Sequence, residues 1–258
     1  MSLRRDVAPV VASSEVGKGA FELTVRAPEI AREIRPGQFV MLGLTGGPPG
    51  DVFLDRPMSY FQRRGEALSV LFRVVGRGTK ALSRLRVGDV LQVMGPLGRA
   101  LPDLGRGRVV YVGGGVGVPP LFDAARAHLE AGGRARVLIG ARTAAEVLGE
   151  AAFRSLGLDV SVATDDGTGG RRGLVTDLLR PEDDLIVACG PTPMLRSVQA
   201  FTRTTGGRAY LILEARMACG FGACLGCTVR TAGRADPYQS YARVCTEGPV
   251  FLSDEVVI

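Results

Sequence analysis

The sequence predicts a multi-domain chain of α/β plus β architecture. It divides into a β-barrel over residues 1–101, a doubly wound parallel α/β domain over 102–213 and a small C-terminal cysteine module over 214–258. Three observations carry this. The first hundred residues alternate apolar and polar positions in short runs parted by Gly/Pro turns. Near Leu101 the rhythm changes to continuous apolar strands separated by helical stretches. Four of the five cysteines then crowd between positions 219 and 245, among glycines.

In the first segment, Phe21, Leu23 and Val25 alternate with Glu22, Thr24 and Arg26, the period of a half-buried strand. Pro36-Gly37 signals a turn before a strand over Gln38 to Leu42. Val70 to Val75 and Asp89 to Val93 continue the series. One short helix is expected, from Lys80 to Leu85, with Thr79 as its N-cap. Val7 to Ala12 reads only as a short apolar stretch.

In the second segment, Val109 to Val112 is an apolar strand that runs into a glycine turn, and a helix opens at Pro119-Pro120. Buried strands are expected at Val137–Ile139, Val160–Val162, Leu185–Val187 and Tyr210–Leu213. Helices are expected at Ala144 to Leu156 and Pro193 to Arg203. Alternation of this kind builds a parallel sheet covered on both faces.

Composition narrows the function. Hydrophobic residues make up 46% and charged residues 22%, which excludes a disordered chain. No run is apolar and long enough to span a bilayer, and the N-terminus lacks a secretory apolar core, so a cytoplasmic protein without membrane attachment is expected. The net charge of +6 raises the question of nucleic acid. However, the basic residues are scattered, Trp is absent and aromatics are 6%, so no nucleic-acid partner is expected. The single histidine, His128, sits in an expected helix. A chain so poor in histidine is not expected to supply an acid–base catalytic residue, and its chemistry is expected to reside in cofactors.

Cys219, Cys224, Cys227 and Cys245 form C-x4-C-x2-C-x17-C, the spacing of plant-type [2Fe–2S] ligation. Three ligands close together demand a tight loop, and Gly220, Gly222 and Gly226 allow it. Structural zinc remains an alternative, although only Cys224 and Cys227 make a C-x2-C knuckle. Disulfides fit poorly with an odd cysteine count.

Gly113, Gly114, Gly115 and Gly117 follow an apolar strand and precede a helix, a place for the pyrophosphate of a dinucleotide. They do not complete G-x-G-x-x-G, because position 118 is Val, and a purely structural turn is the alternative. Cys189-Gly190-Pro191 ends another strand, where open parallel sheets bind ligands. Arg56-Pro57-Met58-Ser59 sets a cation and a hydroxyl on one strand, and Gly76 to Thr79 offers a second phosphate cradle. An edge-strand salt bridge is the commoner role for such an arginine. Arg142 lies after the second strand, where a cofactor 2′-phosphate could be read.

These motifs together resemble the ferredoxin–NADP reductase superfamily, and within it the electron-transfer subunits of class 1B dihydroorotate dehydrogenases. The likeness runs in order through Pro36-Gly37-Gln38-Phe39, Arg56 to Ser59, Leu71-Phe72-Arg73, Gly78-Thr79, Gly113 to Gly115, Cys189 to Pro191 and Glu214 to Gly220. The resemblance implies FAD held by Arg56, Pro57, Met58, Ser59, Leu71, Phe72, Arg73, Gly78 and Thr79. It implies a [2Fe–2S] cluster on the four cysteines, and NAD(H) at the glycine turn and Cys189-Gly190-Pro191. It further implies an FMN-containing dihydroorotate dehydrogenase catalytic subunit as partner, in an α2β2 heterotetramer serving pyrimidine biosynthesis. The segment between Cys227 and Cys245 is long for that family. A reductase subunit of a related NADPH–ferredoxin or sulfide-linked complex is the alternative within the superfamily, and a zinc-bearing interaction module the alternative outside it.

Overall fold

The computed structural model describes residues 3–45, 54–232 and 240–258. Six antiparallel strands close a barrel in the order β1-β2-β5-β4-β3-β6. They are β1 (Arg4–Gly17), β2 (Ala20–Arg26), β3 (Phe39–Leu44), β4 (Arg56–Arg64), β5 (Ala67–Arg73) and β6 (Val90–Leu97). Val10, Leu23, Val25, Val40, Leu42, Val70, Leu91 and Val93 fill its interior. The inward residues alternate along each strand, as the pleat requires.

Three sequence expectations are corrected here. The stretch around Val7 to Ala12 belongs to the fourteen-residue strand β1, which pairs with both β2 and β6 and so closes the barrel. Its pattern is obscured because Ala8 and Val10 face inward while Val7 and Val11 face solvent, with Pro9 between. A helix not foreseen, α1 (Pro28–Glu33), opens at a proline and buries Ile30 and Ala31 in the barrel core. The expected helix near Lys80 begins earlier, as α2 (Arg77–Leu82). Thr79 lies inside it, and its Oγ1 accepts the N–H groups of Val75 and Gly76 at 3.0 and 3.1 Å.

The second sheet has seven strands in the order β10-β9-β8-β7-β11-β12-β15. These are β7 (Arg108–Gly114), β8 (Arg134–Ala141), β9 (Asp159–Thr164), β10 (Arg171–Arg172), β11 (Leu185–Cys189), β12 (Arg208–Ile212) and β15 (Val250–Leu252). All pair in parallel except β15, which runs antiparallel to β12. Alternate residues feed two cores. Val109 and Tyr111 join Leu121, Phe122 and Ala125 of α3 (Pro119–Glu130), whereas Val110 and Val112 join Leu195 and Val198 of α5 (Thr192–Thr205). The helix expected over Ala144 to Leu156 is interrupted. A single 3-10 turn at Ala144–Glu146 is followed by α4 (Glu150–Ser155), because Gly149 adopts φ +72 between them.

The cysteine module contributes a three-stranded sheet ordered β14-β13-β16, from β13 (Thr228–Thr231), β14 (Tyr241–Arg243) and β16 (Val256–Val257). The module is not self-contained, since β15 extends the parallel sheet. Arg99 N–H also donates to Gly248 O at 2.6 Å, tying the module to the end of the barrel segment. The barrel and the parallel sheet are locked by Tyr60, whose hydroxyl donates to the buried carboxylate of Asp123 at 2.8 Å. Phe61 packs on Phe122 with ring centroids 5.0 Å apart.

Candidate functional site

The parallel sheet reverses its winding between β7 and β11, and the ends of both strands open into a cavity of about 490 Å³. Gly114 and Gly115 line it from one strand end, Gly190 and Pro191 from the other. The remaining residues expected there do not reach it. Gly113 is packed under Val118 and Leu121. Gly117 is buried against Cys189, whose carbonyl oxygen would lie 2.3 Å from any Cβ at position 117. Cys189 is wholly buried, and burial, reinforced by the nearby Glu214 carboxylate, pushes its thiol well above its ordinary value. These three residues form the wall behind the cavity and keep the two strand ends in close contact.

A second cavity of about 290 Å³ lies between the barrel and the sheet. Arg56, Pro57, Met58 and Ser59 of β4 line it, with Leu71, Phe72 and Arg73 of β5 and Thr79 of α2. Gly78 is not in its wall but beneath it. The Arg56 guanidinium rests on the Gly78 backbone, where a Cβ would fall 1.9 Å from Nε. Arg56 also donates through Nη1 to Leu54 O. The edge-strand salt bridge weighed for this arginine is not among the described ion pairs.

The two cavities share Arg73, Val75, Val116 and Glu214, so they adjoin along a common wall. Sequence reasoning missed this wall. Val75 and Val116 stand exposed beside glycine turns, at 82% and 39%, and give the shared wall an apolar surface. Glu214 is exposed toward both cavities, and the protein gathered around its carboxyl thins the hydration there enough to raise its pKa. Its position directly after an apolar strand was the available signal.

From Glu214 the chain runs along the smaller cavity, which Ala215 and Met217 also line, and reaches Cys219 two residues later. The cysteine loop is tightly wound. Gly220 and Gly222 have φ of +78 and +93, and Leu225 adopts φ +58, a strained choice for a residue with a side chain. The thiols associate two and two, Cys219 with Cys224 and Cys227 with Cys245, with Cys219 also near Cys245. Burial raises the Cys219 thiol, but N–H groups of Cys224, Phe221 and Ala223 and the Cys224 thiol outweigh it and hold the group down to about 6. The Cys224 N–H lies 3.4 Å from Cys219 Sγ. Cys245 is pushed up to about 12, by burial first and then by Cys227. Four thiols arranged as two pairs, with backbone N–H groups turned toward sulfur, suit a dinuclear iron–sulfur cluster. No group of three or more such side chains around a single ion occurs among the described residues. Arg243 braces the loop by donating to Gly222 O at 3.2 Å while paired with Glu247. Cys224 and Phe221 face outward. Part of the long segment between Cys227 and Cys245, residues 233–239, lies outside the described residues.

Residues 214–257 match the family model described as the iron–sulfur cluster binding domain of dihydroorotate dehydrogenase B. The chain is 38% identical over 258 residues to the dihydroorotate dehydrogenase B (NAD(+)) electron transfer subunit of Shouchella clausii, covering 96% of each chain. It is 36% identical over 263 residues to the same-named protein of Geobacillus thermodenitrificans, covering 98% of this chain and 99% of the relative. Among solved structures it resembles a chain of an NADH-dependent reduced ferredoxin-NADP oxidoreductase, with a TM-score of 0.85 and 29% identity over 97% of this chain and 89% of the other. With likeness over nearly its whole length, a matching cluster domain and a reductase fold, the chain belongs to the family of dihydroorotate dehydrogenase B electron transfer subunits.

Proposed function

We propose that this chain carries electrons between NAD(H) and an FMN-containing catalytic subunit that interconverts dihydroorotate and orotate. The observation that carries the reading is the shared wall of the two cavities, continued by the Glu214–Cys219 segment to the cysteine loop. The two cavities therefore adjoin, and the chain lining the smaller one at Met217 reaches the cysteine loop two residues later. In this reading Arg56 and Ser59 hold a flavin diphosphate, with Leu71 to Arg73 and Thr79 completing the cradle and Gly78 supporting Arg56. Gly114, Gly115, Gly190 and Pro191 bring backbone close to a dinucleotide, with Gly113, Gly117 and Cys189 fixing the strand ends behind them. Cys219, Cys224, Cys227 and Cys245 ligate the cluster. When bound, FAD supplies the exchange between two-electron hydride chemistry and the single electrons a [2Fe–2S] cluster accepts.

The chain's own residues bind and orient. Val75 and Val116 cover apolar ring surface, and Arg73 is fixed by donating to Lys18 O at 3.1 Å and Glu146 O at 3.2 Å. No histidine is near, since His128 is buried on α3 and bonded to Gly107 O at 3.0 Å. The partner surface in this reading surrounds outward-facing Cys224, and the assembly is an α2β2 heterotetramer in the cytoplasm. Among the described residues no helix is long and apolar enough to cross a membrane. The functional units follow the boundaries 1–101, 102–213 and 214–258, with β15 completing the nucleotide sheet from the last of them.

The test is Cys224→Ser. Reduction of bound flavin by NADH should persist, while electron delivery to the catalytic subunit should fall by at least about a hundredfold. Unimpaired delivery in this variant would sink the relay.

A further inference from the structure

The larger cavity extends from the glycine turn to Ala141, Arg142, Glu146 and Asp165, beyond the ends of β8 and β9. An arginine after the second strand of such a sheet is a natural reader of a 2′-phosphate, and an acidic residue there a natural acceptor for a free ribose 2′-hydroxyl. Here the arginine is already occupied. Arg142 donates from Nε to Glu146 Oε2 at 2.9 Å and from Nη2 to Glu146 Oε1 at 2.7 Å, a bidentate pair that fills the fork a phosphate would use.

Glu146 is held in position independently of that pair. Its carbonyl accepts Arg73 Nη2 at 3.2 Å, and Ala144 at the start of the same turn donates to Thr168 Oγ1 at 2.9 Å. Asp165 adds a second carboxylate on the same wall, its N–H anchored on Ala141 O at 3.1 Å. Two carboxylates thus stand at this end of the cavity, and neither guanidinium beside them is free for a phosphate: Arg142 is paired with the Glu146 side chain, and Arg73 donates to the carbonyls of Lys18 and Glu146.

We propose that Glu146, seconded by Asp165, selects NADH over NADPH by keeping Arg142 closed and presenting carboxylates to the ribose 2′ position. The inference rests on the dinucleotide reading of this cavity. A 2′-phosphate must both displace Glu146 from Arg142 and settle beside two like charges, whereas a 2′-hydroxyl can donate to a carboxylate without disturbing the pair. Selectivity then resides in carboxylates that stand against the wrong dinucleotide, and Arg142 becomes a phosphate reader once Glu146 loses its charge.

Titration calorimetry of the flavin-loaded chain with NAD+ and NADP+ tests this at equilibrium, without turnover. The wild-type chain should bind NAD+ at least about a hundredfold more tightly than NADP+, and Glu146→Gln should narrow that ratio about tenfold. Asp165→Asn should narrow it by a smaller factor, and both gains should fade as salt rises. Adding Arg142→Ala to Glu146→Gln should remove the gain. Equal wild-type affinity for the two nucleotides overturns the proposal. So does an unchanged ratio in both single variants, with melting temperature confirming that they are folded. Binding of neither nucleotide by the wild-type chain removes the dinucleotide reading itself, and the selection with it.

Discussion

The guanidinium of Arg56 lies directly on the backbone of Gly78, so that a Cβ there would stand 1.9 Å from Nε and 2.4 Å from Cζ. The first helical turn of α2 thereby meets the start of β4 beside the smaller cavity. Because the crowding atoms belong to the tip of a flexible side chain, Gly78→Ala can be absorbed by swinging Arg56 aside. The expected cost is therefore to flavin retention rather than to folding. After dialysis, Gly78→Ala and Arg56→Ala should each retain less than about half the wild-type flavin, through loss of a charge-assisted diphosphate contact. Full flavin content in both would contradict the assignment.

Gly117 makes the opposite case. Its close neighbours are the Cys189 carbonyl and the Gly190 nitrogen, at 2.3 and 2.5 Å from an added Cβ. Backbone in the centre of a parallel sheet cannot step aside, so Gly117→Ala should destabilise the chain by about 3 kcal/mol and open the β7–β11 junction. Urea denaturation measures the first effect. A matching loss of nucleotide affinity in the residual folded protein measures the second.

Arg243 joins Glu247 to the cysteine loop. The Glu247 carboxyl is held down to about 2 by Arg243, against an opposing burial effect, with help from the Arg243 and Thr246 groups that donate to it. A folded-state value below the ordinary 4.5 contributes stability that is complete above that value and lost as pH falls toward about 2. Arg243→Ala should therefore move acid unfolding to higher pH. It should also speed cluster loss at neutral pH, because the Gly222 carbonyl loses its donor. Following visible absorbance over time, with flavin content as the internal control, separates loop damage from general unfolding.

Glu214 predicts the reverse pH sign. Burial raises its pKa, so the ionised form is disfavoured in the folded chain. That cost appears as pH rises from the ordinary 4.5 to the raised value and stays constant above it. Glu214→Gln should then be more stable than wild type at neutral pH and no more stable below about pH 4. Denaturation midpoints of the flavin-loaded proteins across that range test the sign, and a stabilisation independent of pH would refute it.

The architecture was legible where hydrophobic period and turn chemistry agreed. Val109 to Val112 could only be a buried strand, and the proline pair at 119–120 marked the start of α3. It failed where tertiary pairing overrode local pattern. Pro9 and the outward Val7 and Val11 hide the first part of β1, Arg4 to Pro9, whose partners lie far along the chain in β6, Val7 opposite Gln92. Gly149, with φ +72, breaks what reads as one helix, and α4 beyond it buries Phe153 in the core under the sheet. The four cysteines were visible from spacing alone, whereas the Arg56 to Ser59 run took its meaning from the family resemblance, since its own chemistry suits a salt bridge equally well. The division between cavity-lining and supporting residues was not, since Gly113, Gly117 and Cys189 carry the same motif as the residues they support. The shared wall of Val75, Val116 and Glu214 was equally hidden, because three distant segments compose it.

The most direct measurement is the visible spectrum of anaerobically purified protein, with iron, sulfide and flavin content, before and after NADH. The account predicts about one FAD, two irons and two sulfides per chain, and bleaching by NADH of both flavin and cluster absorbance. A colourless protein containing zinc, or a flavin that NADH reduces with no iron present after reconstitution, would contradict it.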